Sequence, residues 1–207
     1  MTVGPVPGGR DVTRERLLTA ARSLFVARGY HLTRPQDVAR AAGLGHGTFY
    51  LYFADKQACF LAFVAAARQQ LDRFLEARLS GADGLETYLS ALIDGMLDYE
   101  AENPGVLRTA VGEMSAIAPE DAVDLPRHWA EGWARGLRDA ALCGAVAGDY
   151  DPDIIGAIVV GAIGGAVAAA SRGADRNDVI AHARRFLMRA LKPREEPRAR
   201  GSAHAAR

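Results

Sequence analysis

Three glycines at alternate positions, Gly43, Gly45 and Gly47, are the first residues in this sequence whose spacing suggests chemistry. A glycine-rich loop can cradle a phosphate, but it needs a strand before it. The periodicity of residues 36–42 predicts a helix there instead, which argues against a nucleotide-binding loop. The sequence also contains no GxSxG elbow, Walker lysine, HExxH motif or paired His/Asp cluster. It therefore shows no catalytic machinery, and we do not expect an enzyme.

The same glycines lie within residues 36–53, a stretch that predicts two short amphipathic helices joined by a turn. Each helix carries apolar residues at helical spacing: Val38, Ala39 and Ala42 in the first, and Phe49, Leu51 and Phe53 in the second. Gly43 stands at the turn, where a sharp change of direction needs a positive φ. This pattern predicts a helix-turn-helix, whose second helix enters the major groove of DNA.

The charge of the chain is divided between a basic beginning and an acidic remainder. The 207 residues have 25 basic and 25 acidic side chains, so the net charge of zero argues against a general nucleic-acid coat protein. Residues 1–57 nevertheless carry a net charge of +4, and the rest carries −4. A protein that places only one end against phosphate would have this distribution.

The cysteines and the apolar segments indicate the compartment. Cys59 and Cys143 have no CxxC or Cys/His spacing, so neither a zinc site nor a disulfide framework is predicted, and we expect no metal and no cofactor. The first residues lack the apolar core of a signal peptide. Residues 154–170 are uncharged but are shorter than the roughly 20 residues of a membrane span, and they are rich in Gly and Ala. These features predict a cytoplasmic protein with a buried helix there and no membrane partner.

The hydrophobic periodicity along the chain predicts an all-α protein of about nine helices. Their expected ranges are 12–28, 35–42, 46–52, 56–79, 85–102, 106–117, 121–142, 152–171 and 175–191. Gly29 is expected to cap the first helix, and Asp55 the fourth. Breakers in residues 1–9 predict a flexible arm, and the Pro/Arg/Ala-rich residues 192–207 predict a disordered tail.

The residues around the predicted helix-turn-helix also carry a family resemblance. The matching residues, in the family's order and spacing, are Leu18, Ala21, Leu24, Phe25, Gly29, Tyr30, Thr33, Asp37, Val38, Ala39, Ala42, Gly43, Gly47, Thr48, Tyr50, Tyr52, Phe53 and Lys56. On these residues the chain resembles the TetR family of transcriptional regulators over about residues 10–57. The resemblance implies a three-helix DNA-binding domain at 10–57 and a helical ligand-binding and dimerisation domain at 58–191.

The family pattern also implies which side chains meet DNA. It implies that the Thr48 and Tyr50 hydroxyls and the Lys56 ammonium hold phosphates, and that Gly47 lets the backbone approach the groove. His46 is the expected base reader, unless it is only a solvated cap. The alternative for Tyr50 is an ordinary core residue.

The edges of the motif depart from the family pattern. Arg34 and Tyr52 are further candidates for the rim of the interface, and Thr33 completes the expected DNA-binding set. Arg34 and Gly45 stand where the family usually has a Ser or Thr cap, so the cap of the second helix is either weaker or supplied by Thr33.

A single helix-turn-helix reads few base pairs, so a homodimer on a palindromic operator is expected. The candidate dimer interface comprises small and bulky residues of the last two helices: Gly161, Gly165, Ala169, Ile180, Phe186 and Leu187. The alternative is that the Gly/Ala-rich helix is buried within one subunit. Candidates for lining a pocket for a small-molecule effector are Phe74, Tyr88, Leu92, Met96, Met114, His128, Trp129 and Trp133, although such residues can also be ordinary core.

The function expected from these features is transcription regulation by a ligand-responsive repressor. Double-stranded DNA, a small-molecule effector and a second copy of the chain are its expected partners. The alternative is a ligand-binding or protein-interaction module of the same fold with weak or lost DNA binding. Neutral net charge and the unusual caps at Arg34 and Gly45 favour that alternative.

Overall fold

The computed structural model describes residues 9–113, 117 and 125–193. In these ranges the chain forms nine helices and no strand, which confirms the all-α prediction. The helices are α1 (Gly9–Arg28), α2 (Pro35–Ala41), α3 (His46–Tyr50), α4 (Lys56–Leu79), α5 (Leu85–Glu102), α6 (Val106–Gly112), α7 (Leu125–Leu142), α8 (Pro152–Ser171) and α9 (Arg176–Leu191).

Several helix ends follow directly from local residues. Gly29 ends α1 with a φ of +79°, and its N–H donates to the Phe25 carbonyl at 2.8 Å. Asp55 caps α4, because its side chain accepts from the Ala58 N–H at 2.7 Å. Asp151 and Asp175 cap α8 and α9 in the same way. The predicted caps at Gly29 and Asp55 are confirmed.

Other helix ends differ from the sequence prediction. Helix α1 begins at Gly9, three residues before its predicted start. Helix α3 ends at Tyr50, because the N–H groups of Leu51 and Tyr52 donate three residues back and form a tighter turn. Residues 114–116, the predicted end of α6, lie outside the described residues. So do residues 1–8 of the predicted arm and residues 194–207 of the predicted tail.

A first core unites α1 to α4 with α6 and the start of α7. Phe25 is its centre, and its ring meets Phe60 edge to face at 5.2 Å between centroids. Residues of α4 belong to this core as far as Ala67, although the predicted domain division falls after residue 57. That division therefore stays a prediction.

A second core joins α5 with α7, α8 and α9. Two arginines reinforce the contact between α9 and α5. Arg176 forms ion pairs with both Asp94 and Asp98, and Arg184 lies 3.5 Å from a carboxylate oxygen of Glu86. The hydrogen bond to Asp94 is the main cause that raises the pKa of Arg176. The last helix is thus held to the body of the chain by charge as well as by apolar packing.

Helix α8 is apolar on all sides, yet only one side of it is covered. In the described part of the chain it is the one helix long and apolar enough to cross a membrane, and 17% of its most apolar window is buried. Gly156, Val159 and Ile163 are its buried residues, whereas Gly161, Gly164 and Gly165 are exposed. The prediction of a buried helix is therefore wrong for most of its surface within one chain.

Candidate functional site

The turn between α2 and α3 is held in shape from both sides. Gly43 has a φ of +67°, as the predicted turn requires, and the Leu44 N–H donates to the Ala39 carbonyl at 2.9 Å. Arg16 reaches across from α1 and donates to the Ala42 carbonyl at 2.7 Å. The sequence pattern did not single out Arg16, because its role depends on how α1 crosses α2.

Helix α3 presents polar groups on one face and aromatic rings on the other. The Tyr50 side chain is 50% exposed, and its ring meets the exposed His46 edge to face at 5.7 Å between centroids. Phe49 and Phe53 point into the first core and are buried. The outer face of α3 therefore offers an imidazole and a phenol hydroxyl to a ligand. Tyr50 is not an ordinary core residue in this structure.

The other predicted DNA-binding residues on α3 and beside it differ in how exposed they are. Gly47 is exposed, and a Cβ placed there would meet no atom within 4 Å. Thr48 and Tyr52 are half-buried. Arg34 is exposed at the start of α2, where its side chain makes no cap hydrogen bond. Gly45 likewise provides no side-chain cap for α3.

The structure places Thr33 in the interior. It is 0% exposed, and its hydroxyl donates to the Gly29 carbonyl at 2.9 Å. Its prediction as a DNA-contacting side chain is therefore wrong in this conformation, and it does not supply a cap for α2 either. The Thr33 hydroxyl thus provides a hydrogen-bond donor for the Gly29 carbonyl, which has no partner within α1.

Lys56 is also engaged within the protein. Its ammonium donates to the Tyr30 carbonyl at 3.0 Å and lies 4.0 Å from the centroid of the Tyr30 ring. Burial lowers the pKa of Lys56, and the nearby Glu113 opposes that shift. A phosphate would have to compete with the loop carbonyls for this ammonium. Lys56 links the start of α4 to the turn between α1 and α2.

A large cleft of about 1960 Å³ opens between α4, α5, α6, α7 and α8. Six of the eight predicted pocket residues line it: Tyr88, Leu92, Met96, His128, Trp129 and Trp133. Phe74 does not line the cleft, because its ring packs on Tyr99 and beneath the Arg78 guanidinium. Met114 lies outside the described residues. Burial raises the pKa of Tyr88, so its phenol stays neutral at ordinary pH.

Much of the cleft wall was absent from the sequence prediction. These lining residues include apolar side chains of α4, α7 and α8, namely Leu71, Leu75, Leu137, Ile163 and Val167. Charged residues stand among them, including Asp72, Glu76, Arg108 and Arg135. Helical periodicity could have identified the face of α4 that borders the cleft, since residues 68, 71, 72, 75 and 76 lie on one side of that helix. Which face would border a cavity depends on the neighbouring helices.

The predicted dimer residues divide into exposed and buried groups. Gly161 and Gly165 are exposed, Ala169 and Ile180 are half-buried, and Phe186 is 60% exposed. Leu187 is 1% exposed and belongs to the second core of its own chain. Its prediction as an interface residue is wrong, because successive helical residues point about 100° apart and only Phe186 faces outward.

The described part of the chain contains no group of three or more His, Cys, Asp or Glu side chains that could hold a metal ion. Both cysteines are free thiols, with Cys59 buried and Cys143 exposed. Burial raises the pKa of the Cys59 thiol to about 12, so it stays protonated and unreactive.

Comparison with known proteins agrees with the helical arrangement. Residues 17–63 match the family of bacterial regulatory proteins named tetR. The transcriptional regulator AcuR of Cereibacter sphaeroides is 25% identical over 154 residues, which are 70% of each chain. The HTH-type transcriptional repressor DhaR of a Mycobacterium species is 22% identical over 163 residues, which are 76% of this chain and 82% of DhaR.

A solved structure extends the likeness over most of the fold. The TetR family protein CprB from S. coelicolor A3(2) is 26% identical, with a TM-score of 0.68. The match covers 88% of this chain and 90% of CprB. AcuR and DhaR are both described as transcriptional regulators. On the helix-turn-helix geometry, the family match and these relatives, the chain carries a helix-turn-helix DNA-binding domain of the TetR family and is similar to TetR-family transcriptional regulators over most of its fold.

Proposed function

We propose that the chain is a cytoplasmic repressor that binds a palindromic operator as a homodimer and is released from it by a small-molecule effector. Two features found together carry this proposal. Helix α3 has an exposed polar face, and a large, mainly apolar cleft borders α4, the helix that begins beside the helix-turn-helix. DhaR, a relative described as a repressor, supports the proposed sign of regulation. The proposal includes no cofactor and no catalytic step.

In the proposed complex, α3 lies in the major groove with its N-terminal residues against base edges. His46 is the base reader, and Gly47 lets the backbone approach closely because nothing fills the space beside it. Thr48, Tyr50 and Lys56 donate to phosphates, with Arg34 and Tyr52 on the rim. We leave Thr33 out of this interface because it is buried.

Replacing Tyr50 with phenylalanine is expected to weaken binding to both operator and random DNA by about tenfold, since a hydrogen bond to a charged phosphate is worth about 1.5 kcal/mol or more. The ring and its packing against Phe49 would remain. Fluorescence anisotropy with both DNAs, repeated at several salt concentrations, measures the effect. Tyr150→Phe is the matched control, since Tyr150 is exposed in the α7–α8 connection. Unchanged affinity of the Tyr50 variant would remove its phosphate role.

The proposed dimer forms a four-helix bundle from α8 and α9 of each copy. The uncovered side of α8 allows close approach through Gly165 and Ala169, with Gly161 at the border between this side and the cleft, while Ile180 and Phe186 add large apolar side chains. Leu187 supports this surface from inside its own chain. Such a bundle would cover apolar surface that is exposed in one chain and would set the spacing of the two α3 helices.

The proposed effector acts through α4. Leu71 and Leu75 of this helix line the cleft, and its first residue, Lys56, holds the turn after α1. The α6 end of the cleft also contacts the DNA-binding side, because Glu113 accepts from the Tyr30 N–H at 3.3 Å. An effector that binds one position of α4 better than another would change the separation of the two α3 helices.

DNA protection on the region upstream of the protein's own coding sequence tests this proposal. We expect a protected palindrome whose half-sites lie about one DNA turn apart, roughly 34–36 Å, with binding that weakens as salt rises. The alternative function, a module of this fold that lacks efficient DNA binding, predicts no protection there and equal affinity for any sequence. Equal effector affinity with and without operator would exclude effector release, because coupling between two sites is reciprocal.

A further inference from the structure

One side chain beside the cleft has an unfilled hydrogen-bonding requirement. Among the described residues, Nε of Arg68 is the only side-chain nitrogen or oxygen that is buried and has no hydrogen-bond partner. The guanidinium also has no carboxylate oxygen within 4.0 Å among those residues, although Asp72 stands one turn further along α4. A buried charged donor without a partner is costly, so such a group calls for a ligand.

Arg68 is not itself a lining residue, but it lies directly behind residues that line the cleft. It precedes Leu71, Asp72 and Leu75 on the same face of α4, and those three residues line the cleft. Its Nη1 lies 3.4 Å from Nε2 of His128, which lines the cleft from α7. An arginine and a histidine thus meet at the end of the cleft nearest the helix-turn-helix.

The surroundings of this pair are apolar. Trp129 follows His128 on α7, and Met96 and Leu107 contribute from α5 and α6. Asp72 and Glu76 lie on the same α4 face, and they would repel an anion of higher charge more strongly than a singly charged one. The pair therefore suits a singly charged, planar anion attached to an apolar body, and a guanidinium binds a carboxylate through two parallel hydrogen bonds.

From this geometry we infer that the effector is an apolar carboxylic acid, whose carboxylate binds Arg68 and His128 while its hydrocarbon part lies along the two tryptophans. This inference rests on the proposed function of the cleft as the effector site. It adds the chemical class of the effector, and it places the charged group next to the helix that leads to the DNA-binding domain.

Matched probes with the same hydrocarbon and different head groups test the inference. Decanoate and decan-1-ol, with octanoate and octan-1-ol as a shorter pair, are titrated into the full chain. Trp129 and Trp133 are the only tryptophans of the sequence and both line the cleft, so their fluorescence reports its occupancy. We expect the acid of each pair to bind at least about tenfold more tightly than the alcohol.

Arg68→Gln is expected to remove this preference: its affinity for decanoate falls by about tenfold and its affinity for decan-1-ol stays unchanged. Arg135→Gln is the matched control, because Arg135 is an exposed arginine on the α7 wall of the same cleft, and it should retain the preference. His128→Gln gives a second test of the pair if Arg68→Gln does not fold. The comparison of acid with alcohol on the unmodified chain requires no variant.

The outcomes separate this inference from the proposed function. Equal binding of acids and alcohols, or equal effects of the Arg68 and Arg135 variants, would overturn the carboxylate site and leave the cleft as an effector site. Absence of binding by every probe, with unchanged tryptophan fluorescence, would overturn the inference and count against the effector cleft as well. Loss of operator binding with normal probe binding would contradict only the DNA-binding proposal.

Discussion

Replacing Gly156 with alanine is expected to lower the midpoint of thermal unfolding by about 4–8 °C, which corresponds to a net loss of about 2 kcal/mol. A Cβ at this position would lie 2.4 Å from the Ala130 carbonyl oxygen and 3.2 Å from the Ala134 nitrogen. Both atoms belong to the backbone of α7, so no side chain can move aside. Helices α7 and α8 would have to separate along the contact that closes one side of the cleft.

Gly136→Ala is the matched control for this experiment. Gly136 lies in α7, and a Cβ there would meet no atom within 4 Å. Alanine is preferred to glycine in a helix by about 1 kcal/mol, so this variant should raise the midpoint by about 2–4 °C. Thermal unfolding followed by circular dichroism measures both. A Gly156→Ala protein as stable as the unmodified chain would mean that α7 and α8 are less closely packed than the structure shows.

Replacing Phe186 with glutamate is expected to dissociate the proposed dimer and to reduce operator affinity by about a hundredfold or more, because two linked reading helices bind far better than one. Phe186 is 60% exposed on α9, so its substitution removes no contact that holds one chain together. In a symmetric bundle the change would occur twice and would place two carboxylates in an apolar interface. Sedimentation velocity measures the association state, and anisotropy with operator DNA measures the affinity.

Ala77→Glu controls for the added charge, since Ala77 is exposed near the end of α4 and is not one of the predicted interface residues. It should remain dimeric and bind operator normally. Circular dichroism should show that both variants have the same helical content as the unmodified chain. A Phe186→Glu protein that sediments as an unchanged dimer would place the interface on another surface.

Local features of the fold could be predicted well because they depend on neighbouring residues. Asp55 caps α4 through a hydrogen bond to a residue three positions later, and Gly29 ends α1 through its own φ. The turn at Gly43 likewise depends on one residue and its neighbours. These interactions span a few residues, so the sequence carries all the information that they need.

The site residues were harder to place because their roles depend on distant partners. Arg16 fixes the turn before α3 from 26 positions away, and the sequence pattern did not indicate it. Thr33 and Lys56 match the family pattern, yet their polar atoms are directed to carbonyls at the end of α1. Arg68 has no unusual sequence context, and it becomes notable only because α7 places His128 beside it.

Because periodicity and capping are local, the sequence was enough to predict the all-helical class and the position of the helix-turn-helix. The family was indicated by the resemblance over residues 10–57. The packing of the helices set which faces are covered. It buried Leu187 and exposed Phe186, it placed Gly156 against α7 while leaving space beside Gly161, and it assembled the cleft from five helices. Burial and hydrogen-bond partners depend on how helices distant in sequence cross one another, whereas helical periodicity specifies the faces of a helix but not what lies against them.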